Sequence, residues 1–271
     1  MKSILLHVGD DAHFESRLQG ALDIARYTGG HLECLQTRRV PSYLGADAAG
    51  FGGSATMIVQ LIEDEAKQAE AERAKLGDRL KREDVPFSFA EAMGDPTQTL
   101  VARSLLADVI MMTLPPSTER ELSHLLSAVV TKADAPVLAV PHGSARLALE
   151  KPVLVAWKPT AEAAHAVKRS LPLLQKASQV DIVVIDPRGY GDFPPHAVAS
   201  YLSRHGIKAD IHERTAGDGS TSDTLLSTAH ELGSGMLVMG GYGRSRAMEF
   251  LMGGVTRRLL GASDIALLMA H

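Results

Sequence analysis

The stretch Asp108-Val109-Ile110-Met111-Met112 has a near copy in Gly235-Met236-Leu237-Val238-Met239. Each contains an unbroken apolar run of strand length, and each follows a segment of helical periodicity, residues 97–106 and 222–232. Short continuous runs of this kind fit strands covered on both faces, as in a parallel sheet. Outward from this pair, the rest of the chain falls into register with itself. Residues 4–8 and 153–157 make a first-strand pair at an offset of 149, each followed by an amphipathic segment, 14–27 and 161–175. Residues 32–36 pair with 182–185, 87–92 with 209–214, and 137–140 with 267–270; the last pair is trailed by His142 and His271. Each half reads β-α-β-α-β-α-β-α-β, an α/β pattern predicting two tandem open parallel five-stranded sheets flanked by helices. The expected domains are residues 1–146 and 147–271, with a linker near residues 143–151.

Composition narrows the function classes. Of 271 residues 45% are hydrophobic, which excludes a disordered chain. The formal charge of −4, without a basic stripe, argues against nucleic acid as a partner. Cys34 is the sole cysteine, so a disulfide framework and a cysteine-rich zinc site are both excluded. Its apolar surroundings predict a buried, inert thiol. No run approaches the roughly 20 apolar residues needed to span a bilayer, and residues 4–8 are too short for a signal peptide. Membrane association is not expected, and a cytoplasmic address is. The 11 histidines contain no His-x-x-x-His pair. His13-x-Glu15 and His31-x-Glu33 lack the cysteines of a zinc deaminase, so solvated or core histidines are expected.

The halves are unequal. The repeat offset falls from about 150 at the second strand pair to 122 at the third, so the first half carries nearly 30 extra residues there. They read as a Gly/Ala-rich loop, 43–54, and a long helix, about 56–82. Ile58, Leu61, Ile62, Ala66, Ala69, Leu76 and Leu80 share one side of that helix, interrupted by Arg73. A solvated amphipathic helix, a lid and a dimerisation helix all fit this pattern.

Ligands of open parallel sheets bind at the carboxyl ends of strands, near the point where strand order reverses. The second half places Gly240-Gly241-Tyr242-Gly243-Arg244-Ser245-Arg246 after its fourth strand, then Gly253-Gly254-Val255-Thr256-Arg257-Arg258. Glycines admit close backbone approach, or else serve tight turns with positive φ. Val255 opens a helix pattern, where free N–H groups and the dipole favour phosphate. No Walker-type Gly-x4-Gly-Lys-Ser/Thr run occurs, and the dinucleotide fingerprint fails at Arg246. Gly243-Arg244-Ser245-Arg246-Ala247 narrowly misses a nucleophile elbow. Asp181, Asp186, His212 and Glu213 lie near strand ends without a readable nucleophile–base pair.

With these motifs the chain resembles the universal stress protein family in its tandem two-domain form. The family's ATP signature, Gly-x2-Gly-x9-Gly-Ser/Thr, maps onto Gly240, Gly243 and Gly253. The resemblance implies that these glycines cradle the phosphates of ATP, with its magnesium counterion left open. It implies N–H donors at Gly254 and Val255, and a supporting charge at Arg244. Two departures stand out. Position 254 is Gly where the family has Ser or Thr, with Thr256 as a partial substitute. The first strand ends in Lys158-Pro159-Thr160, where family binders place an aspartate against the nucleoside, and lysine cannot accept a hydrogen bond. The first half reads Thr113-Leu114-Pro115-Pro116 at the matching turn and ends its first strand in Gly9-Asp10-Asp11, so no nucleotide is expected there. Three functions follow: nucleotide binding in the second half without efficient turnover, an interaction module with a decayed site, or a slow ATPase. The strands 137–140 and 267–270 are the natural surfaces for pairing the halves, and a homodimer is also compatible.

Overall fold

The computed structural model describes residues 1–9, 11–38, 55–186, 193–216, 219–242 and 254–271. Its described strands form one ten-stranded sheet in the order β3-β2-β1-β4-β5-β10-β9-β6-β7-β8. In the first half these are β1 (Ser3–Val8), β2 (His31–Arg38), β3 (Phe87–Met93), β4 (Val109–Leu114) and β5 (Val137–Pro141). The second half supplies β6 (Val153–Ala156), β7 (Val180–Ile185), β8 (Ala209–Arg214), β9 (Met236–Gly240) and β10 (Ala266–Ala270). Pairing within each half is parallel. The α/β fold class and the strand positions are as the sequence indicates.

The sheet count differs. The two expected five-stranded sheets are fused, because β5 and β10 pair antiparallel with Leu138 opposite Leu268. Both strands are buried on both faces, so leaving their edges open would strand a row of backbone donors and acceptors in an apolar layer. Pairing between strands 137–140 and 267–270 removes that cost.

Helices cover both faces. One face carries α1 (Phe14–Thr28), α2 (Ala55–Leu80), α5 (Ala161–Leu174) and α6 (Pro195–Arg204). The other carries α3 (Pro96–Arg103), which runs into a 3-10 turn at Ser104–Leu106, with α4 (Arg120–Lys132), α7 (Thr221–Glu231) and α8 (Val255–Ala262). Local chemistry sets the ends of several. Asp95 accepts from the Gln98 N–H at 2.9 Å with Pro96 opening α3, and Ser220 accepts from the Asp223 N–H at 3.2 Å at the start of α7. Gly29 stops α1 at φ 60°, a left-handed conformation costly for other residues.

The long helix is α2. Leu76 and Leu80 are buried, as its stripe requires, and the Arg73 guanidinium lies 5.1 Å from the Phe89 ring centre. The loop 43–54 and the side chains of Ile58, Leu61 and Ile62 lie outside the described residues. Cys34 is fully buried, and burial pushes its thiol up to about 12. Among the described residues no helix is long and apolar enough to cross a membrane.

Strand order reverses between β1 and β4, and again between β6 and β9. The crevices at the carboxyl ends of these pairs are therefore the places to examine.

Candidate functional site

In the second half the crevice lies between the end of β6 and the end of β9. From β6 the chain runs through Trp157, exposed Lys158 and Pro159 to Thr160, whose hydroxyl accepts the Ala163 N–H at 3.3 Å and caps α5. β9 ends at Gly240, which sits hard against that helix start. A Cβ there would lie 2.8 Å from the Ala163 nitrogen and 3.0 Å from the Glu162 Cβ. Neither Gly240 nor Gly241 has a positive φ. Both are glycines for close packing: a Cβ at Gly241 would lie 2.6 Å from Val130 of α4, in the first half.

Beyond Gly241 the backbone turns at Tyr242, with φ 46°. The Tyr242 N–H donates to Thr256 Oγ1 at 3.4 Å, and its hydroxyl bonds Ser127 of α4 at 2.8 Å. Thr256 is 3% exposed. Its hydroxyl oxygen thus ties the end of β9 to the first turn of α8. Gly254 caps α8 without a side chain, and Val255 is half-buried. The first-turn N–H groups of α8 consequently have no capping acceptor from Gly254, the arrangement that favours an anion. Of the residues expected to form the site, Gly240, Gly254, Val255 and Thr256 come together around the end of β9. Gly243, Arg244 and Gly253 lie outside the described residues.

Glu162 is a rim residue that the sequence reading passed over. It stands in the first turn of α5 beside Gly240, is 6% exposed, and has no hydrogen-bond or ion-pair partner among the described residues. An acid at this position suits the α5 dipole. The spacing Thr160-x-Glu162 after a strand was the available signal. Two histidines close the same rim: His271 Nδ1 lies 3.1 Å from the Gly241 carbonyl, and His165 Nδ1 lies 3.0 Å from the His271 carbonyl.

The matching crevice of the first half is filled by its own side chains. Arg17 reaches from α1 to the ends of β1 and β4 and is 2% exposed. Its Nε donates to the His7 carbonyl at 2.7 Å. Its Nη1 donates to Asp11 Oδ1 at 2.8 Å and to Thr113 Oγ1 at 3.3 Å. Burial alone would raise the Asp11 carboxyl, but the Arg17 hydrogen bonds and charge, with the His13 N–H, hold it below its ordinary value. Around this pair, His7 Nε2 meets Thr37 Oγ1 at 3.2 Å and His13 Nε2 meets Glu119 at 2.8 Å. The His13 ring stands edge-on to His142 at 5.4 Å. His142 Nδ1 lies 3.2 Å from the Leu114 carbonyl, repeating the His271 contact of the other half.

His212 and Asp181, noted near strand ends, do pair: Nε2 and Oδ1 are 2.8 Å apart across β7 and β8. Among the described residues no group of three or more His, Cys, Asp or Glu side chains gathers as a metal site would require.

Residues 150–271 match the family model described as the universal stress protein family. No curated protein matches the chain at a significant level. The structure of a universal stress protein from Archaeoglobus fulgidus DSM 4304 is similar over 99% of this chain and 96% of its own, at 16% identity and a TM-score of 0.77. A functionally unknown protein from Pseudomonas aeruginosa PAO1 is similar over 98% of this chain and 91% of its own, at 18% identity and a TM-score of 0.63. A universal stress protein in complex with cAMP aligns with 45% of this chain and 96% of its own, at 18% identity and a TM-score of 0.36. The chain therefore carries a universal stress protein family domain at residues 150–271, and its full length has the fold of a solved universal stress protein.

Proposed function

We propose that the second half binds ATP or a related nucleotide at its carboxyl rim, without efficient turnover. The observation that carries this reading is the start of α8. Its N-cap, Gly254, offers no side-chain cap, and its first turn is tied by Thr256 to the end of β9, beside a reversal of strand order. The glycine spacing of residues 240–254 supports the same ligand class. His271 Nδ1 is engaged with the Gly241 carbonyl, and no side-chain carboxylate among the described residues pairs with it to poise it as a base. The chain divides, in this reading, at residues 146 and 147. Its first half then serves as a partner whose crevice is occupied by Arg17 and Asp11.

The test is direct. Freshly purified protein is denatured and the supernatant resolved by ion exchange, and the emptied protein is titrated with ATP in a calorimeter. A nucleotide peak or saturable heat is expected, and loss of both in Gly243→Val. Absence of both from the unsubstituted protein overturns the proposal and leaves an interaction module. Phosphate release above background, abolished by the same substitution, would instead establish a slow ATPase.

A further inference from the structure

The two halves differ in what covers their first helix. In the first half, the 26-residue α2 brings Leu76 and Leu80 into the buried cluster that includes Leu18 and Leu22 of α1. In the second half the corresponding helix, α6, has only 10 residues. Between α5 and α6 an open groove of about 680 Å³ remains. Drug-sized and cofactor-sized ligands occupy pockets of roughly 300–1,000 Å³ that are mostly apolar with a few placed polar groups.

The groove has that composition. Trp157, Val167, Phe193 and Tyr201 furnish apolar wall. Trp157 is 9% exposed and donates its indole N–H to the Phe193 carbonyl at 3.4 Å, while Phe193 is 61% exposed. An exposed aromatic ring beside a buried indole is apolar surface that a flat or extended ligand would remove from water. Among the described residues the charged lining side chains are Lys168 and Arg204, both cations, one from each helix. Neither has an ion-pair partner among the described residues, although the protein pairs most of its other helix-borne arginines.

We propose that this groove is a second binding site, adjoining the crevice at Trp157, Pro159 and Thr160 but distinct from the glycines of the β9 turn, for a small amphipathic anion: an apolar aromatic or acyl body with a carboxylate or sulfonate head. The body lies against Trp157, Phe193 and Tyr201, and the head is held by Lys168 and Arg204. Two cations on facing helices, at a mostly apolar groove, select a negative head over a neutral or cationic one.

Trp157 is the sole tryptophan of the chain, so its emission reports on the wall of the groove. The full-length protein is titrated with decanoate and, separately, with 1-anilinonaphthalene-8-sulfonate, with decanol as the neutral control. Saturable change in Trp157 emission is expected with both anions, with decanol at least about tenfold weaker. The double substitution Lys168→Ala/Arg204→Ala lies on exposed side chains and should leave the circular dichroism spectrum unchanged while weakening decanoate about tenfold. Ala164→Phe, which fills the groove between the helices, should abolish the response to both probes. Unchanged emission with both anions overturns the proposal, as does equal binding of decanol and decanoate or full affinity in the double variant. All titrations are run without ATP, so none of these outcomes decides whether the glycines of the β9 turn hold a nucleotide.

Discussion

Arg17 shows how one side chain changes the standing of a whole crevice. It sits at a stripe position of α1, three residues after Phe14 and four before Ala21, where the helical period calls for an apolar residue. Its guanidinium is satisfied by His7, Asp11 and Thr113, so the pair with Asp11 is costly to break from one side. Arg17→Met should destabilise the protein by about 3 kcal/mol in urea unfolding. The double substitution Arg17→Met/Asp11→Asn should recover part of that loss. Because the folded-state Asp11 carboxyl is held below its ordinary value of 3.8, its contribution is present above that value and is lost as pH falls through the folded one. Acid titration should therefore show a steeper loss of stability below about pH 4 in the unsubstituted protein than in the double variant. At the opposite rim, Glu162 lies beside Gly240, one of the glycines proposed to cradle the phosphates. Glu162→Gln should tighten ATP binding several-fold, read by calorimetry. The thiol of Cys34, raised to about 12 by burial, should react with thiol reagents only after unfolding.

At the scale of elements, the glycines of the β9 turn are instructive. The sequence marks them as backbone-approach positions for a ligand, and close approach is what the structure shows at Gly240 and Gly241, but toward α5 and α4. Gly240→Ala should cost about 1–3 kcal/mol, since the added Cβ meets backbone rather than a flexible side chain. Gly254→Ser restores a hydroxyl at the start of α8 and should strengthen ATP binding about tenfold. The strands were legible because runs such as residues 109–112 are apolar throughout and fit a strand covered on both faces. The helix ends at Gly29, Asp95 and Ser220 are set by capping chemistry that is local in the chain, though the sequence reading did not single them out. Arg17 and Glu162 were not legible, because a stripe pattern reports which face is covered and not whether a polar group on it finds partners. The fusion of the sheets was suggested by the apolar edge strands at 137–140 and 267–270. Which of the two edges would meet, and in which direction, depends on contacts between residues about 130 positions apart.

At the scale of the whole molecule, both buried clusters run through both halves, joining residues such as Leu6 and Val155 on one side and Leu5 and Leu267 on the other. A single cooperative transition is expected in calorimetry, with equal calorimetric and van't Hoff enthalpies. Two separated transitions would show that the seam between β5 and β10 is weak. Expressed alone, residues 147–271 would leave β10 as an open apolar edge and should dimerise, as measured by light scattering on a sizing column.

The antiparallel seam also has a mechanical meaning. Strands point in opposite directions across it, so the two rims lie at opposite ends of the molecule. Helix α4 spans between them as a strut of 13 residues, about 20 Å long. At one end it follows Glu119, which holds His13 at the rim closed by Arg17. Toward the other it carries Ser127 and Val130, against which Tyr242 and Gly241 rest. Any displacement of the β9 turn bears directly on this strut, and the stiffness of one helix sets how far it is felt.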